Sequence, residues 1–463
     1  MHVPRTPVPS IVLAVALVIV SGRTSAQQVE PLSFGDAAHA VRADHGSLKA
    51  ADALVRQREA EAAAARDLRW PTVTFGATAV QMSTAVVQSV SLAPLGAILP
   101  LPPTVHLPEL DLELQASRFA LASVGARYLL YTGGKVQAAG RAADAKVDEA
   151  RAAVDREAAA LLTDLARKYF GLQLRQRARA VRVDAVAVLG RLQHDAQQLE
   201  AEGLIARAER LSADVAHADG ERELRAATSD VALAETALAS LLTRDAVGAL
   251  TTPLFVVRDI GSVESFKAAA RERHPALAQL GATARLAREG LAVERARHKP
   301  DVFLFGNQVI GHWQLSELAP HGQYGIGAAW TLFEGPDRKR KAAAAELQVA
   351  RVEALDERAR RDLATLVEVR YREIEKARDQ YDTLASLEAL AEEHVRMRTA
   401  AFREGVGTML EVVSAQLQLS KVRIDRAQAA YQSVVALAEL LDASGQSERF
   451  DEFRRRGTEV REP

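Results

Sequence analysis

Hydrophobic residues recur along this chain with two periods, and the switch between them predicts its elements. From Leu410, the positions Val413, Leu417, Ser420, Ile424, Ala427, Tyr431, Val434, Ala438 and Leu441 advance in alternating steps of three and four. That is a heptad seam held for more than four heptads, the mark of a long packed helix. Asp337–Glu404 before it and Thr408–Ser444 through it contain neither Gly nor Pro. Gly405 and Gly407 alone interrupt, so Phe402–Gln416 predicts a tight reversal between two long antiparallel helices. At ~1.5 Å per residue the first would be roughly 100 Å long, a rod no ordinary globular domain needs.

Elsewhere the period drops to two. Val73, Phe75, Ala77 and Ala79 alternate with Thr72, Thr74, Gly76 and Thr78; Ala122, Val124, Ala126, Tyr128 and Leu130 alternate with Ser123, Gly125 and Arg127. Tyr324, Ile326, Ala328, Trp330 and Leu332 form a third apolar face, with Gly325, Gly327, Ala329 and Thr331 behind it. The fourth strand, Val302–Ile310, is less regular, because Phe303 and Phe305 fall on the face otherwise given to small residues. Bulky residues toward lipid and small ones toward an interior would suit a membrane barrel, with Trp70, Tyr128 and Trp330 as an aromatic girdle at one interface. Two hairpins of a soluble sheet, with the aromatics as core, would give the same alternation.

The chain is an internal repeat. YTGGK at Tyr131–Lys135 reappears as FEGPD at Phe333–Asp337, offset by 202, and the same offset carries Glu202-Gly203 onto Glu404-Gly405, Glu209 onto Glu411, Ser212 onto Ser414 and Ala213 onto Ala415. Upstream, His45, Leu48 and Pro71 map onto His274, Leu277 and Pro300 with an offset of 229. The two offsets differ by 27, the length of an insertion in the first repeat between Pro71 and Tyr131, placed in the apolar, proline-rich loop Ser91–Pro108. Each repeat predicts a helix, two strands, a long helix and a shorter one. The first, 27–242, has helix 34–68, strands at about 71–90 and 110–131, and helices 135–201 and 206–242. The second, 263–444, has helix 263–298, strands at about 301–310 and 323–333, and helices 337–404 and 408–444. Residues 243–262 link them, and the charged tail 445–463 reads as loosely ordered beyond Ser447.

Composition narrows the class. Arg5, the apolar run Ile11–Val20 and Thr24-Ser25-Ala26 form a secretory signal over residues 1–26. No other stretch approaches the 18 or so consecutive apolar residues of a spanning helix, so any membrane crossing must use strands. Four strands cannot close a barrel, and open edges in hydrocarbon cost several kcal/mol per unpaired group, so a membrane reading requires several chains to pool their strands. Balanced charge, 59 basic against 60 acidic residues, gives no nucleic-acid footprint, and the absence of Cys excludes disulfides and a cysteine-linked lipid anchor.

These residues carry a resemblance. HPALAQL from His274, the Arg69-Trp70-Pro71 and Lys299-Pro300 junctions, YTGGK, FEGPD and FREGVGTMLEVVSAQ together are similar to the TolC-like outer-membrane efflux proteins, over essentially the whole mature chain. The resemblance implies a mainly α fold with a membrane β-barrel: a homotrimer sharing twelve strands, continued by a periplasmic helical tube. It also implies partners, a periplasmic adaptor (membrane fusion) protein and an inner-membrane pump, in efflux or type I secretion.

In that family the hairpin turns form the periplasmic mouth. Glu209 and Glu411 match its acidic gate positions, while Ser212 and Ser414 stand where a second aspartate is frequent. Equally, both glutamates suit the first turn of a helix, near the positive end of its dipole. Gly203, Leu204 and Ile205, with Gly405, Val406 and Gly407, match the tip segments that meet the adaptor, or are simply turn residues. The basic run Arg338–Lys341 reads as a solvated face rather than a lipid-phosphate contact. No nucleophile elbow, phosphate loop or zinc-protease motif appears, so no enzyme and no cofactor is expected. The eleven histidines include no pair at helical ligand spacing beside carboxylates, which predicts no metal site. A secreted coiled-coil protein would explain the helices but not the duplicated strand pairs. Nothing in the sequence selects among drugs, metal ions and polypeptides as cargo.

Overall fold

The computed structural model describes residues 30–92, 94, 109–316, 319–332 and 337–460. The expected signal peptide, most of the proline-rich loop and the turn 333–336 lie outside these residues. The elements repeat with the offsets of the sequence. Helices α1 (Phe34–Asp44) and α2 (Gly46–Asp67) correspond to α5 (Val263–Arg273) and α6 (Pro275–Ala296). Helices α3 (Lys135–Ala201) and α4 (Arg207–Leu241) correspond to α7 (Asp337–Arg403) and α8 (Met409–Ala443), at 67 and 35 residues in both copies.

The leading helix expected in each repeat is two helices. Segment 34–68 breaks at His45 and 263–298 at His274, both in extended backbone (ψ 129° and 126°). In each the ring Nδ1 accepts the N–H two residues on, Ser47 at 3.3 Å and Ala276 at 3.1 Å. Pro275 pushes the residue before it out of the helical region, so this break was written in the sequence and overridden by the longer periodicity. Burial, with Arg156 nearby, holds the His274 imidazole below its ordinary pKa of 6.5.

The long helices α3 and α7 each pass two sets of neighbours. Near the sheet, α3 is joined to α2 by Arg151–Glu59 (2.6 Å) and to α6 by Arg285–Asp148 (2.7 Å), while α6 reaches α7 through Arg288–Glu353 and Arg295–Glu346, both 2.8 Å. Toward the other end α3 packs on α4 and α8, and Arg423 of α8 reaches Glu388 of α7 at 3.1 Å. The exposed pairs among these align the helices more than they stabilise them; Arg423–Glu388 is the part-buried exception.

Between the two levels lies the main apolar core. Phe34, Phe170, Phe255 and Phe450 stack with centroids 4.8–6.2 Å apart. The Tyr169 hydroxyl donates to the Leu32 carbonyl (2.8 Å) and accepts from Thr252 N–H (3.0 Å), tying the segment before α1 and the linker to α3. The tail corrects its expectation. Helix α9 (Phe450–Arg456) buries Phe450 and Phe453 to 2% exposure, and strand β8 (Thr458–Glu459) pairs with β5 (Phe255–Val256) in the linker. Two phenylalanines three apart in a charged run are too short a pattern to register as a helix, yet each buried ring is worth about 1.5–3 kcal/mol.

The main sheet has the order β1-β4-β6-β7, all neighbours antiparallel: β1 Thr72–Gln81, β4 Arg118–Tyr131, β6 Asp301–Trp313, β7 Gly322–Ala329. The strands expected at about 71–90 and 110–131 are each interrupted, and the insertion folds partly as a second hairpin, β2 (Val86–Ser91) with β3 (Glu109–Gln115). The irregular phenylalanines have a packing reason. Phe303 pairs with Gly327 and Phe305 with Gly325, and a Cβ on either glycine would lie 2.7 Å and 3.2 Å from those rings. The Arg127 guanidinium caps Phe303, 3.9 Å from its centroid. On the opposite face Val73, Phe75, Tyr324 and Ile326 are about two-thirds exposed or more (67, 68, 73 and 71%). Among the described residues no helix is long and apolar enough to cross a membrane.

Candidate functional site at the helix-hairpin tips

Both hairpins turn by the same device. Gly203 and Gly405 sit at φ 76° and 73°, the left-handed region that costs glycine no Cβ clash. Leu204 N–H reaches back to the Leu199 carbonyl (2.8 Å) and Val406 N–H to that of Ala401 (3.0 Å). Gly203 and Gly405 donate to Glu200 and Phe402 (2.9 and 3.0 Å), so orphan carbonyls of both long helices are satisfied as in a Schellman motif. Gly407 is needed for another reason: a Cβ there would lie 3.2 Å from Ala401 Cβ and Phe402 N.

The two tips lie side by side. Met409 and Val413 at the start of α8 are buried with Leu189 and Ala196 of α3 and Ala213 of α4, and Ile205 and Phe402 pack on this cluster. Ile205 is therefore committed to tip packing, whereas Leu204 and Val406 are 67% and 81% exposed.

The paired glutamates occupy equivalent positions with different surroundings. Glu411 completes a capping box: Thr408 Oγ1 accepts from Glu411 N–H (3.4 Å), and the Glu411 carboxylate accepts from Thr408 N–H (3.2 Å). It also faces Arg398 at 3.3 Å. Glu209 begins a helix whose N-cap is Ala206, with no side-chain cap, and it has no ion-pair partner among the described residues. Ser212 spends its hydroxyl on the Ala208 carbonyl (3.0 Å), and Ser414 is exposed.

The sequence reading missed Arg210. Its guanidinium joins Glu200 across the turn and Asp214 one helical turn on, while Gln193 of α3 donates to Asp214 at 2.9 Å. These contacts, the Gln193 bond first, hold the Asp214 carboxyl below its usual pKa. The second repeat has Val412 and Gln416 at the positions of Arg210 and Asp214, so the offset that exposed Glu209 and Glu411 concealed this pair.

At the helix end of the sheet, Trp70, Tyr128 and Trp330 are exposed by 66, 40 and 58%, and the Trp330 indole N–H donates to the His298 carbonyl at 3.1 Å. Of the basic run, Arg338 donates to the Thr331 carbonyl (2.6 Å) and Lys341 pairs with Asp337 (2.5 Å). Among the described residues no group of three or more His, Asp or Glu is placed to hold a metal ion.

The profile of the outer membrane efflux protein family matches residues 37–244 and 268–446, one segment in each repeat. The chain belongs to the outer membrane efflux protein family. These are transport channels, not enzymes. Solved outer-membrane proteins and channels have the same fold. The Campylobacter jejuni CmeC outer-membrane channel covers 98% of both chains at TM-score 0.73 and 11% identity. VceC of Vibrio cholerae aligns over 89% of this chain and 96% of its own, at 0.71 and 17%. The open-state Neisseria gonorrhoeae MtrE channel aligns over 96% and 98%, at 0.68 and 16%. A search of curated proteins by sequence finds no match.

Proposed function

We propose that this efflux-family chain is one third of a homotrimeric duct in the outer membrane of a Gram-negative bacterium. It would receive cargo from a periplasmic adaptor and an inner-membrane pump of a tripartite efflux or type I secretion system. The observation that carries the assembly is the open sheet: among the described residues β1 and β7 are unpaired edges, flanked by exposed apolar side chains, while the number three is what the family resemblance implies. In hydrocarbon each unpaired backbone group costs several kcal/mol, so β1 of one chain must pair with β7 of the next until the ring closes. Three chains give twelve strands. Trp70, Tyr128 and Trp330 then form the girdle at the inner interface. Chemical crosslinking in detergent should give a three-chain species; a stable monomer in aqueous buffer would overturn the barrel.

At the mouth, Glu209 and Glu411 would bring six carboxylates toward one axis and favour cations there, with Ser212 and Ser414 leaving the ring less charged. Leu204 and Val406, beside Gly203, Gly405 and Gly407, offer the adaptor an exposed contact that Ile205 supports from behind. Planar-bilayer recording tests the gate: Glu209→Gln with Glu411→Gln should weaken cation preference and divalent block together. Unchanged reversal potential and block would show that these carboxylates face away from the pore.

A further inference from the structure

At the far end of the sheet from the helices, two histidines nine residues apart meet. The Nε2 atoms of His312 and His321 lie 3.2 Å apart, with ring centroids separated by 4.9 Å. Two imidazoles bound to one tetrahedral cation at ~2.05 Å per bond place their nitrogens about 3.3 Å apart. The observed separation is thus the bite of a two-histidine site, and it doubles as an N–H···N hydrogen bond when no cation is present.

The backbone builds this convergence. Ser123 pairs with Val309 and Ala122 with Gly311, which leaves Ile310 as an extra residue on β6. Such a bulge reverses the alternation of the strand beyond it and re-aims the side chains there. Without it His312 would share the face of Leu304 and Gln308; with it, His312 pairs with Leu121 and joins the face of Phe303, Phe305 and Gly325. His321 is held opposite by its own carbonyl, which accepts from Val309 N–H at 2.7 Å. The segment after His312 is clamped from the first repeat at residues 314 and 316: Gln115 Nε2 donates to the Gln314 carbonyl and Gln115 Oε1 accepts from Ser316 N–H, both at 2.8 Å. Both rings therefore hang from fixed backbone, as a preorganised site requires.

We propose that His312 and His321 bind a borderline divalent cation, Cu2+ or Zn2+, with water completing its shell. Imidazole nitrogens suit these ions, and the pair offers no oxygen to attract Mg2+ or Ca2+. A bound ion would staple β6 to the start of β7 and pin the outer turn of the second repeat. If the small-residue face is the pore, as the duct proposed above requires, three such ions would stand around its outer mouth.

The test uses the tag-free full chain in detergent, because a histidine tag would compete. Titration with Cu2+, followed by electron paramagnetic resonance, should give about one ion per chain with coupling to two nitrogens. His312→Asn and His321→Asn should each weaken it at least about tenfold, and the double change should abolish it, with helix content by circular dichroism unchanged. Because Cu2+ binds imidazole more tightly than Zn2+, Zn2+ should compete with it only in excess; Mg2+ should not compete at all. A double variant that binds as much Cu2+ with the same spectrum overturns the site. In bilayers, external Zn2+ should alter conductance of the native channel and not of the double variant. Binding by resonance without a conductance effect would keep the site and refute its placement in the pore.

Discussion

Replacing Glu411 and Glu209 by alanine in turn should separate structural from electrostatic duty at the helix-hairpin tips. Glu411 does three things: it accepts from Thr408 N–H, sits at the positive end of α8 and faces Arg398 at 3.3 Å. The dipole contact is worth ~0.3–1 kcal/mol. A half-exposed ion pair adds ~0.2–1 kcal/mol, toward the low end because solvent screens it. Breaking the box leaves Thr408 N–H to water. Glu411→Ala should therefore cost about 1–2 kcal/mol locally, and Glu209→Ala, with the dipole contact alone, ~0.3–1 kcal/mol. Since 1–2 kcal/mol is a factor of about 5–30, amides in the first turn of α8 should exchange that much faster in Glu411→Ala. The first turn of α4 should change only a few-fold in Glu209→Ala. Thr408→Ala should loosen the α8 turn by about 1 kcal/mol, and the Thr408/Glu411 double change by less than the sum, because the box is reciprocal. Hydrogen-exchange mass spectrometry on the full chain in detergent reads all four. Equal acceleration at both tips, or none at the α8 turn, would refute this division of labour.

Three further outcomes are expected. Phe453→Ala empties a site 2% exposed and should cost about 3–5 kcal/mol, read as a lowered denaturant midpoint. Because the folded-state pKa of His274 is depressed, its contribution is fully present above its ordinary value of 6.5 and is lost as pH falls below that; His274→Asn, which keeps a capping side chain, should flatten this part of the stability–pH curve. Gly327→Ala places a Cβ 2.7 Å from the Phe303 ring and should destabilise by about 1–3 kcal/mol, with Phe303→Leu restoring part of the loss in thermal melts.

Helix α7 was legible because it holds neither Gly nor Pro, and α3, which carries Gly140, Gly171 and Gly190, because the repeat matches it to α7; glycine marks each turn. The breaks at His45 and His274 were not, since a capping imidazole leaves the apolar rhythm intact on both sides. Only Pro275 announced one of them. Tail order was hidden because Phe450 acquires meaning from Phe34 and Phe255, and Phe453 from Phe266, all far away in sequence. At the tips, matching the repeats found what they share, Glu209 and Glu411, and missed what differs, the Arg210–Asp214 pair and the box at Thr408. The histidine pair is invisible to helical ligand spacing, because these rings, nine residues apart, meet across a hairpin after a bulge.

The equal helix lengths make the duplication a length standard. Both hairpins, 67 and 35 residues in each copy, bring their turns to one level, where Met409 meets Leu189 and Ala213. Seven residues gained or lost in one long helix alone would set its turn roughly 10 Å above or below the other. A compensating change in the returning helix would not repair this, because the mismatch lies between the copies. Drift in reach is thus permitted only in step: the hairpins can lengthen or shorten when both copies change together, and the adaptor proposed to meet the tips would have to change with them.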